Sequence, residues 1–435
     1  MDFSSFKLLR GKNIGRCGLT LFLCGIFFLP STLFISILFL LPAAIIGSFE
    51  QKKLYLSDKW NYPFLIFGIL IFISTISQNF FLENNFSEIW DPKLSIIGMG
   101  NWLPFIWFFW AFQPYLNSKT KRRNFALVLI SSTVPVIATG LGQYFFNWTG
   151  PFETLNGLII WYQRPIENPA GLSGLFNNQN YAGSWLNLVW PFCLVLFLEK
   201  RADFKQKTIS LGFVFSVGLS AFLTYSRNSW LGLIISFPII FGKKIINLLI
   251  PLIILTVFII FIIYSPIFNG ELQDTLRNLL TEKFLLEFTN EGYEELDATR
   301  IEILSRGINL LKINPFFGIG ATSFSEIYLL ETSFWKGHSH NLLLELAISY
   351  GVPTTFIFFT TINTILLKSG KFIFNSKRLN DIALYDRAFW TALFFFIISQ
   401  LFDIQYFDGK ISLIVWILIS GLKSIIEENN NKALS

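Results

Sequence analysis

The chain has 435 residues, of which 53% are hydrophobic and only 14% are charged. Because soluble domains carry about 25% charged residues, this composition excludes an ordinary water-soluble protein and predicts an all-α membrane protein. The net charge of +6 superficially suggests a nucleic-acid partner. The positive residues lie mostly in short polar segments between apolar runs, as in membrane proteins, so we predict no nucleic-acid binding.

Apolar segments long enough to cross a membrane recur along the chain, since a spanning helix needs roughly 20 such residues. The first run, 17–49, is too long for one span and is broken at Pro30-Ser31, so we predict two short helices there. The other predicted spans are 62–80, 95–113, 125–145, 179–198, 208–224, 229–242, 245–264, 340–367, 388–402 and 410–422. The sequence therefore predicts about twelve transmembrane helices.

The distribution of Lys and Arg predicts the orientation. Most of these residues lie in alternate connections and at the two termini, which the positive-inside rule assigns to the cytoplasm. We therefore predict a multi-pass protein of the bacterial inner membrane, with 1–264 forming helices 1–9, 265–337 forming a large periplasmic loop between helices 9 and 10, and 338–435 forming helices 10–12 and a cytoplasmic tail.

The large loop is acidic and shows helical patterning. An amphipathic helix is predicted over 272–288. A second is predicted to begin at Thr299, where Thr299 and Glu302 have the spacing of a capping box, and to run to about Ile313 before Asn314-Pro315 stops it. Long loops with structure of their own are usually functional.

Arg227 is predicted to lie at the outer membrane surface, in a connection too short to leave the bilayer region. One interpretation is an arginine that snorkels at a helix end. The alternative is a binding residue, because the positive-inside rule disfavours an arginine here and Ser226 and Asn228 add hydrogen-bonding groups.

Arg300 falls on the apolar side of the second loop helix, opposite the polar side that carries Arg306. The apolar side is predicted to comprise Ile301, Ile303, Leu304, Ile308, Leu310 and Leu311. An inward guanidinium requires an anionic partner. A structural salt bridge to a loop acid and a bound phosphate group both satisfy that requirement.

His338 and His340 are the two histidines of the chain and stand where the large loop returns to the membrane. A hydrogen-bonded interfacial histidine and a general base are the alternatives for His340, since an imidazole titrates near neutrality. A metal site is not favoured, because no third ligand stands nearby in sequence. We expect His340 to share a helix face with Ala347 and Gly351, where small residues allow close helix packing.

Weaker patterns are also present. Asn178 and Asn180 precede a span, where Asn usually caps a helix. Glu345 and Asp403 are acids inside or beside spans and would either orient His340 or snorkel. No P-loop or nucleotide-sugar motif is found, so we predict no cofactor and no use of ATP.

Four stretches, in order, resemble the O-antigen ligase and polymerase superfamily of bacterial membrane glycosyltransferases. They are Gly174-Leu175-Phe176-Asn177-Asn178-Gln179-Asn180, then Thr224-Tyr225-Ser226-Arg227, then Arg300 with Asn314-Pro315-Phe316-Phe317-Gly318-Ile319-Gly320, and finally His340-Asn341 with Gly351-Val352-Pro353-Thr354. The last stretch fits the signature of the ligase branch and is the most specific. The resemblance covers roughly 170–420.

The resemblance implies twelve spans, cytoplasmic termini and a periplasmic active site that uses neither metal nor ATP. It implies a glycan donor linked to undecaprenyl pyrophosphate and, as acceptor, a hydroxyl of lipid A–core. Carried onto matching positions, Arg227 and Arg300 would bind the pyrophosphate and His340 would deprotonate the acceptor. His338, Asn341, Asn178, Asn180 and Gly351 would support them.

Two alternatives remain at this point. A polymerase of the same superfamily would use the same donor and join repeat units. An inorganic-carbon transporter would require polar residues along a path at the membrane midplane, whereas the polar candidates here gather at one face.

Overall fold

A computed structural model describes residues 12–81, 92–166, 170–200, 202–242, 245–265, 267–268, 270–279, 300–375 and 381–434. The described residues are mostly helical, and they form two compact units. Unit 1 combines residues 1–132 with 298–435, and unit 2 comprises residues 133–297.

Unit 1 contains, in chain order, α1 (Lys12–Phe28), α2 (Leu33–Glu50), α3 (Asn61–Phe81), α4 (Pro92–Met99), α5 (Leu103–Ala111), α6 (Lys119–Ser132), α13 (Arg300–Ile313), α14 (Ser323–Thr332), α15 (Leu342–Tyr350), α16 (Val352–Asn375), α17 (Asp381–Ser399) and α18 (Gly409–Leu434). Short 3₁₀ helices lie at Tyr55–Ser57 and Gln113–Tyr115. The predicted break between the first two helices is confirmed, because a turn around Pro30 separates α1 from α2.

Unit 2 contains α7 (Val134–Phe146), β1 (Phe152–Thr154), β2 (Ile159–Trp161), α8 (Gln179–Leu198), α9 (Phe204–Phe222), α10 (Arg227–Phe241), α11 (Ile246–Tyr264) and α12 (Gly270–Leu279). The two strands pair antiparallel with Phe152 opposite Trp161, a hairpin that the sequence analysis does not predict. The predicted loop helix 272–288 is observed as far as Leu279, and its remainder lies outside the described residues. Thr299 of the predicted capping box also lies outside them.

Several helices are suited to a bilayer. Within the described ranges, six are long and apolar enough to span it: Leu33–Glu50, Lys93–Ala111, Lys119–Phe146, Gln179–Leu198, Val352–Asn375 and Gly409–Asn431. Four shorter apolar helices are Ile14–Phe28, Asn61–Ser77, Arg227–Phe241 and Ile250–Tyr264. These helices make the chain a multi-pass membrane protein, while the count of twelve spans and the orientation of the termini stay predictions.

The core of unit 1 forms around α18. Its Trp416 is fully buried and packs against the rings of Phe64, Phe105 and Phe358, which come from α3, α5 and α16. Three membrane helices thus converge on one side chain of α18, the helix that follows the loop 400–408. That loop contains Asp403.

The predicted span 340–367 is wrong. Two helices occupy this region, α15 and α16, and Gly351 separates them. Gly351 adopts φ 87°, a left-handed conformation that ends α15 and that a residue with a Cβ rarely adopts. Hydrophobic length alone does not reveal such a break inside an apolar run.

Candidate active site

The turn before α15 presents His340 outside any helix. His340 has φ 56°, in the left-handed region, and the next residue, Asn341, caps α15 by accepting a hydrogen bond from the Leu344 N–H at 3.0 Å. The expectation that His340, Ala347 and Gly351 share a helix face is therefore wrong. Because Asn341 is the cap, α15 begins after it, and the imidazole of His340 lies in the preceding turn.

His340 is paired with a buried carboxylate. Its Nδ1 lies 2.6 Å from Oδ1 of Asp403, in the loop between α17 and α18. The other oxygen, Oδ2, accepts a hydrogen bond from Gln405 Nε2 at 2.9 Å. An ionised carboxylate only accepts hydrogen bonds, so Nδ1 carries a proton and donates to Asp403. In the neutral imidazole, Nε2 is then the basic nitrogen.

Asp403 is ionised in this setting. Burial opposes its ionisation, but the hydrogen bond from His340 and the positive charge around it, including Arg300, hold the pKa of Asp403 below its ordinary value. The Asp403 side chain is 9% exposed and that of His340 is 26% exposed. The carboxylate is thus shielded behind an imidazole that an incoming substrate can reach.

Hydrogen bonds between the turn of His340 and the loop of Asp403 hold the two residues next to each other. Asn341 Nδ2 donates to the Leu401 carbonyl at 3.0 Å, and the Leu342 N–H donates to the Gln400 carbonyl at 2.8 Å. These two bonds join the turn of His340 directly to the loop of Asp403. Of the two acids considered from the sequence, Asp403 is therefore the one that orients His340.

Glu345 plays a different part. Its buried carboxylate accepts a hydrogen bond from the Ser339 N–H at 2.8 Å. Glu345 contacts the backbone of the turn, whereas Asp403 contacts the imidazole itself.

His338 supports the turn as a neutral side chain. Burial, the neighbouring His340 and the charge of Arg300 lower the pKa of His338 to about 4, against the opposing influence of Asp403. Its Nδ1 lies 3.2 Å from the His340 backbone N–H and accepts a hydrogen bond from it. An unprotonated Nδ1 is required for that bond, so the low pKa and the geometry agree.

Arg300 extends over the same loop. As the first residue of α13, it donates from Nη1 to the Phe402 carbonyl, and Nη1 lies 3.8 Å from Oδ1 of Asp403. Among the residues that the structure describes, the carboxylate near Arg300 is thus that of Asp403. The Arg300 side chain remains 57% exposed, so its other donors can bind an anion from outside.

The predicted apolar face of α13 is partly wrong. Three residues, Ile303, Gly307 and Leu310, form its buried stripe. Ile301, Leu304 and Ile308 are exposed. Arg300 continues the buried stripe at helical spacing, so it does lie on the inward side. Arg306 binds Glu302 at 3.1 Å and Glu331 at 2.9 Å, away from His340's loop.

The third and fourth stretches of the family resemblance pack against each other. The Val352 N–H donates to the Pro315 carbonyl at 2.8 Å, and the Ile319 N–H donates to the Ile348 carbonyl at 2.7 Å. A Cβ added at Gly351 would overlap the backbone carbonyl of Phe316. The stretch that begins Asn314-Pro315 thus docks on the junction of α15 and α16, and this close approach explains why the signature requires glycine there.

We expect Gly351→Ala to destabilise unit 1 by about 1–3 kcal/mol, because the new Cβ meets backbone atoms at a position with positive φ. Thermal unfolding of the purified protein in detergent measures this loss. Gly212→Ala is the matched control, since a Cβ there meets nothing within 4 Å. An unfolding temperature of Gly351→Ala at or above that of the control would contradict the packing described here.

Arg227, Asn178 and Asn180 belong to unit 2. Arg227 is the exposed first residue of α10, and the turn before it is held by the bond from the Ser226 N–H to Thr224 Oγ1 at 3.3 Å. Asn178 caps α8 by accepting hydrogen bonds from the N–H groups of Asn180 and Tyr181, at 2.9 and 3.1 Å. The capping interpretation thus accounts for Asn178. A joint role of Arg227 with Arg300 stays a prediction.

The described residues include one group with the spacing of metal ligands. One donor atom from each of His338, His340 and Asp403 lies within 4.8 Å of the others. Asp403 is remote in sequence, which is why no third ligand could be predicted. The guanidinium of Arg300 beside Asp403 opposes a divalent cation, so the arrangement favours proton transfer over metal binding.

Replacing Asp403 by asparagine separates a positioning role from a structural one. We expect Asp403→Asn to lower kcat by about 10²–10⁴-fold, the upper figure being that of a triad whose carboxylate becomes an amide. Asp403→Glu keeps a carboxylate that can accept the hydrogen bond from Nδ1, so it should retain more activity than Asp403→Asn. Equal losses in the two variants would leave Asp403 only a structural role.

Comparison with protein families finds a match in the central part of the chain. Residues 211–359 match the family described as O-antigen ligase. This segment contains Arg227, Arg300, His338, His340 and Gly351, and the predicted resemblance is confirmed there. No curated protein matches the chain significantly.

Proposed function

We propose, from the match of residues 211–359 to the O-antigen ligase family, that this membrane protein transfers a glycan from an undecaprenyl-pyrophosphate donor to a hydroxyl of lipid A–core. The reaction is proposed to occur at the periplasmic face and to need neither metal nor ATP. The observation that carries the proposal is the His340–Asp403 pair beside the exposed guanidinium of Arg300.

The proposed step forms one bond and breaks another. The acceptor oxygen attacks the anomeric carbon of the donor sugar, and the bond from that carbon to the pyrophosphate oxygen breaks. Nε2 of His340 takes the hydroxyl proton, and Asp403 stabilises the imidazolium that results. Undecaprenyl pyrophosphate leaves with the bonding electron pair, so the step balances without a further reactant.

The arginines act on the leaving group. Negative charge grows on the pyrophosphate as the sugar departs, and a guanidinium matches phosphate oxygens with two parallel donors. The first-turn position of Arg300 on α13 and its contact with the Phe402 carbonyl support this proposed role. Arg227 is the second proposed pyrophosphate-binding residue. The amides at the start of α13 add to the attraction for an anion.

Glycolipids from a strain that lacks this protein test the proposal. We expect full-length, unattached glycan on its lipid carrier, with no glycan-capped lipid A–core, and restoration by the wild-type chain but not by His340→Ala. An accumulation of single lipid-linked repeat units would instead identify a polymerase of the same superfamily. An unchanged glycolipid pattern would overturn both.

A further inference from the structure

Unit 1 has a second polar region at the opposite ends of the helices that hold His340 and Asp403. Only Gly351 separates α15 from α16, which runs for 24 residues, about 36 Å, to Asn375. α18 begins shortly after Asp403 and ends at Leu434. The far ends of these two helices thus lie roughly one membrane thickness from the active site.

A cavity of about 640 Å³ lies at these far ends, beside the start of α3. Lys59 and Trp60 precede α3, Lys368 and Lys371 lie in the last turns of α16, and Asn430 lies near the end of α18. Among the residues that line the cavity, three are lysines and none is acidic. The cavity is therefore suited to an anion.

The neighbouring acids do not neutralise this charge, because they bind another lysine. Asp58 and Glu427 both pair with Lys423, and the Lys423 to Glu427 distance is 2.9 Å. Lys368 Nζ instead lies 5.0 Å from the centre of the Trp60 ring, a cation–π contact that fixes one wall of the cavity.

The remaining wall is apolar and continues along the membrane helices. Phe372 and Pro63 line the cavity. Leu367 of α16 and Ile66 of α3 are exposed large hydrophobic residues of the same helices, at 69% and 46%. A free phosphate would occupy only the lysine end, whereas a phospholipid would place its headgroup there and its acyl chains along the apolar surface.

We infer that the cavity lined by Lys59, Lys368 and Lys371 binds the headgroup of an anionic phospholipid on the membrane face opposite the active site. The positive-inside prediction assigns this face to the cytoplasm, whose leaflet attracts basic groups near the membrane surface. A lipid held between α3, α16 and α18 would brace α18 against α3 and α16, two of the helices that pack on its Trp416.

Native mass spectrometry of the full-length protein tests this inference, with phosphatidylglycerol as the probe and phosphatidylcholine, which is zwitterionic and has no net charge, as the reference. The triple variant Lys59→Gln, Lys368→Gln and Lys371→Gln should lose retention of phosphatidylglycerol, by roughly fivefold for each lysine, corresponding to about 1 kcal/mol each. Replacing the same lysines by arginine should preserve retention. The matched control replaces exposed lysines elsewhere by glutamine: Lys93, Lys205 and Lys312.

Equal retention by the glutamine variant and the control would overturn the inference, as would equal retention of the two lipids by the wild type. Displacement of the lipid by inorganic phosphate would show that the cavity takes a soluble anion and would also overturn it. Should the triple variant fail to fold, Lys371→Gln alone should still show the fivefold loss. The glycolipid pattern of cells reports the proposed reaction separately, so failure of one proposal leaves the other standing.

Discussion

His340→Ala should reduce the proposed glycan transfer by about 10²–10⁴-fold while the protein still inserts into the membrane, because the variant lacks the basic nitrogen proposed to accept the hydroxyl proton. The rate is measured with purified protein, a lipid-linked glycan donor and a lipid acceptor. Since the side chain lies in a turn outside any helix, its removal leaves the cap of α15 by Asn341 in place.

Added imidazole separates loss of the base from loss of structure. A small imidazole can enter the space that the ring leaves, because the His340 side chain is 26% exposed. We expect partial recovery of the rate in His340→Ala and no stimulation of the wild type. A wild-type rate in His340→Ala without imidazole would remove the histidine from the mechanism.

Arg300→Ala should weaken transfer by about 10²–10³-fold, equivalent to about 2.7–4 kcal/mol, if the guanidinium stabilises charge on the departing pyrophosphate. The transfer rate of Arg300→Lys should lie between those of the wild type and Arg300→Ala, since an ammonium keeps the charge but lacks the two parallel donors. The loss should appear in the kcat/KM measured for the donor, whereas the KM for the acceptor should change little.

Arg306→Ala is the matched control for this prediction. Arg306 lies on the same helix and carries the same charge, but Glu302 and Glu331 already bind it. We expect less than about a twofold effect, as for an exposed ion pair. Equal losses of transfer rate in Arg300→Ala and Arg306→Ala would contradict this prediction. They would show that activity depends on the total charge or the folding of α13 and not on the position of Arg300.

Local features of the fold could be predicted from the sequence. The break at Pro30 and the end of α13 before Asn314-Pro315 follow from backbone restrictions that proline imposes on its neighbours. The membrane class follows from composition, since a bilayer demands apolar helices. The break at Gly351 is not predicted, because glycine is tolerated inside membrane helices, and neither its positive φ nor the close approach of Phe316 can be seen in the sequence.

The exposed side of α13 shows a second limit to prediction from sequence: helical periodicity does not identify the buried residues. Ile301, Leu304 and Ile308 look like core residues in a helical pattern, yet they are exposed. In a membrane protein, apolar residues face both the protein interior and the lipid, so periodicity does not distinguish the two. The predicted inward side of α13 was therefore too wide, although it included Arg300.

The pairing of His340 with Asp403 could be suspected but not established from sequence. Both residues stand beside predicted spans, which made Asp403 a candidate to orient His340. Their contact depends on hydrogen bonds from the His340 turn to Gln400 and Leu401, between segments about sixty residues apart. Gln405, which fixes the other carboxylate oxygen, carries no motif that sequence reasoning could detect.

A cryo-electron-microscopy structure of the protein with an unreactive analogue of the undecaprenyl-pyrophosphate glycan tests the central claim most directly. We predict that the pyrophosphate contacts Arg300, and that Nε2 of His340 faces the anomeric carbon across the space for a hydroxyl, while Nδ1 keeps its bond to Asp403. A pyrophosphate bound away from Arg300, or an anomeric carbon out of reach of His340, would contradict the account.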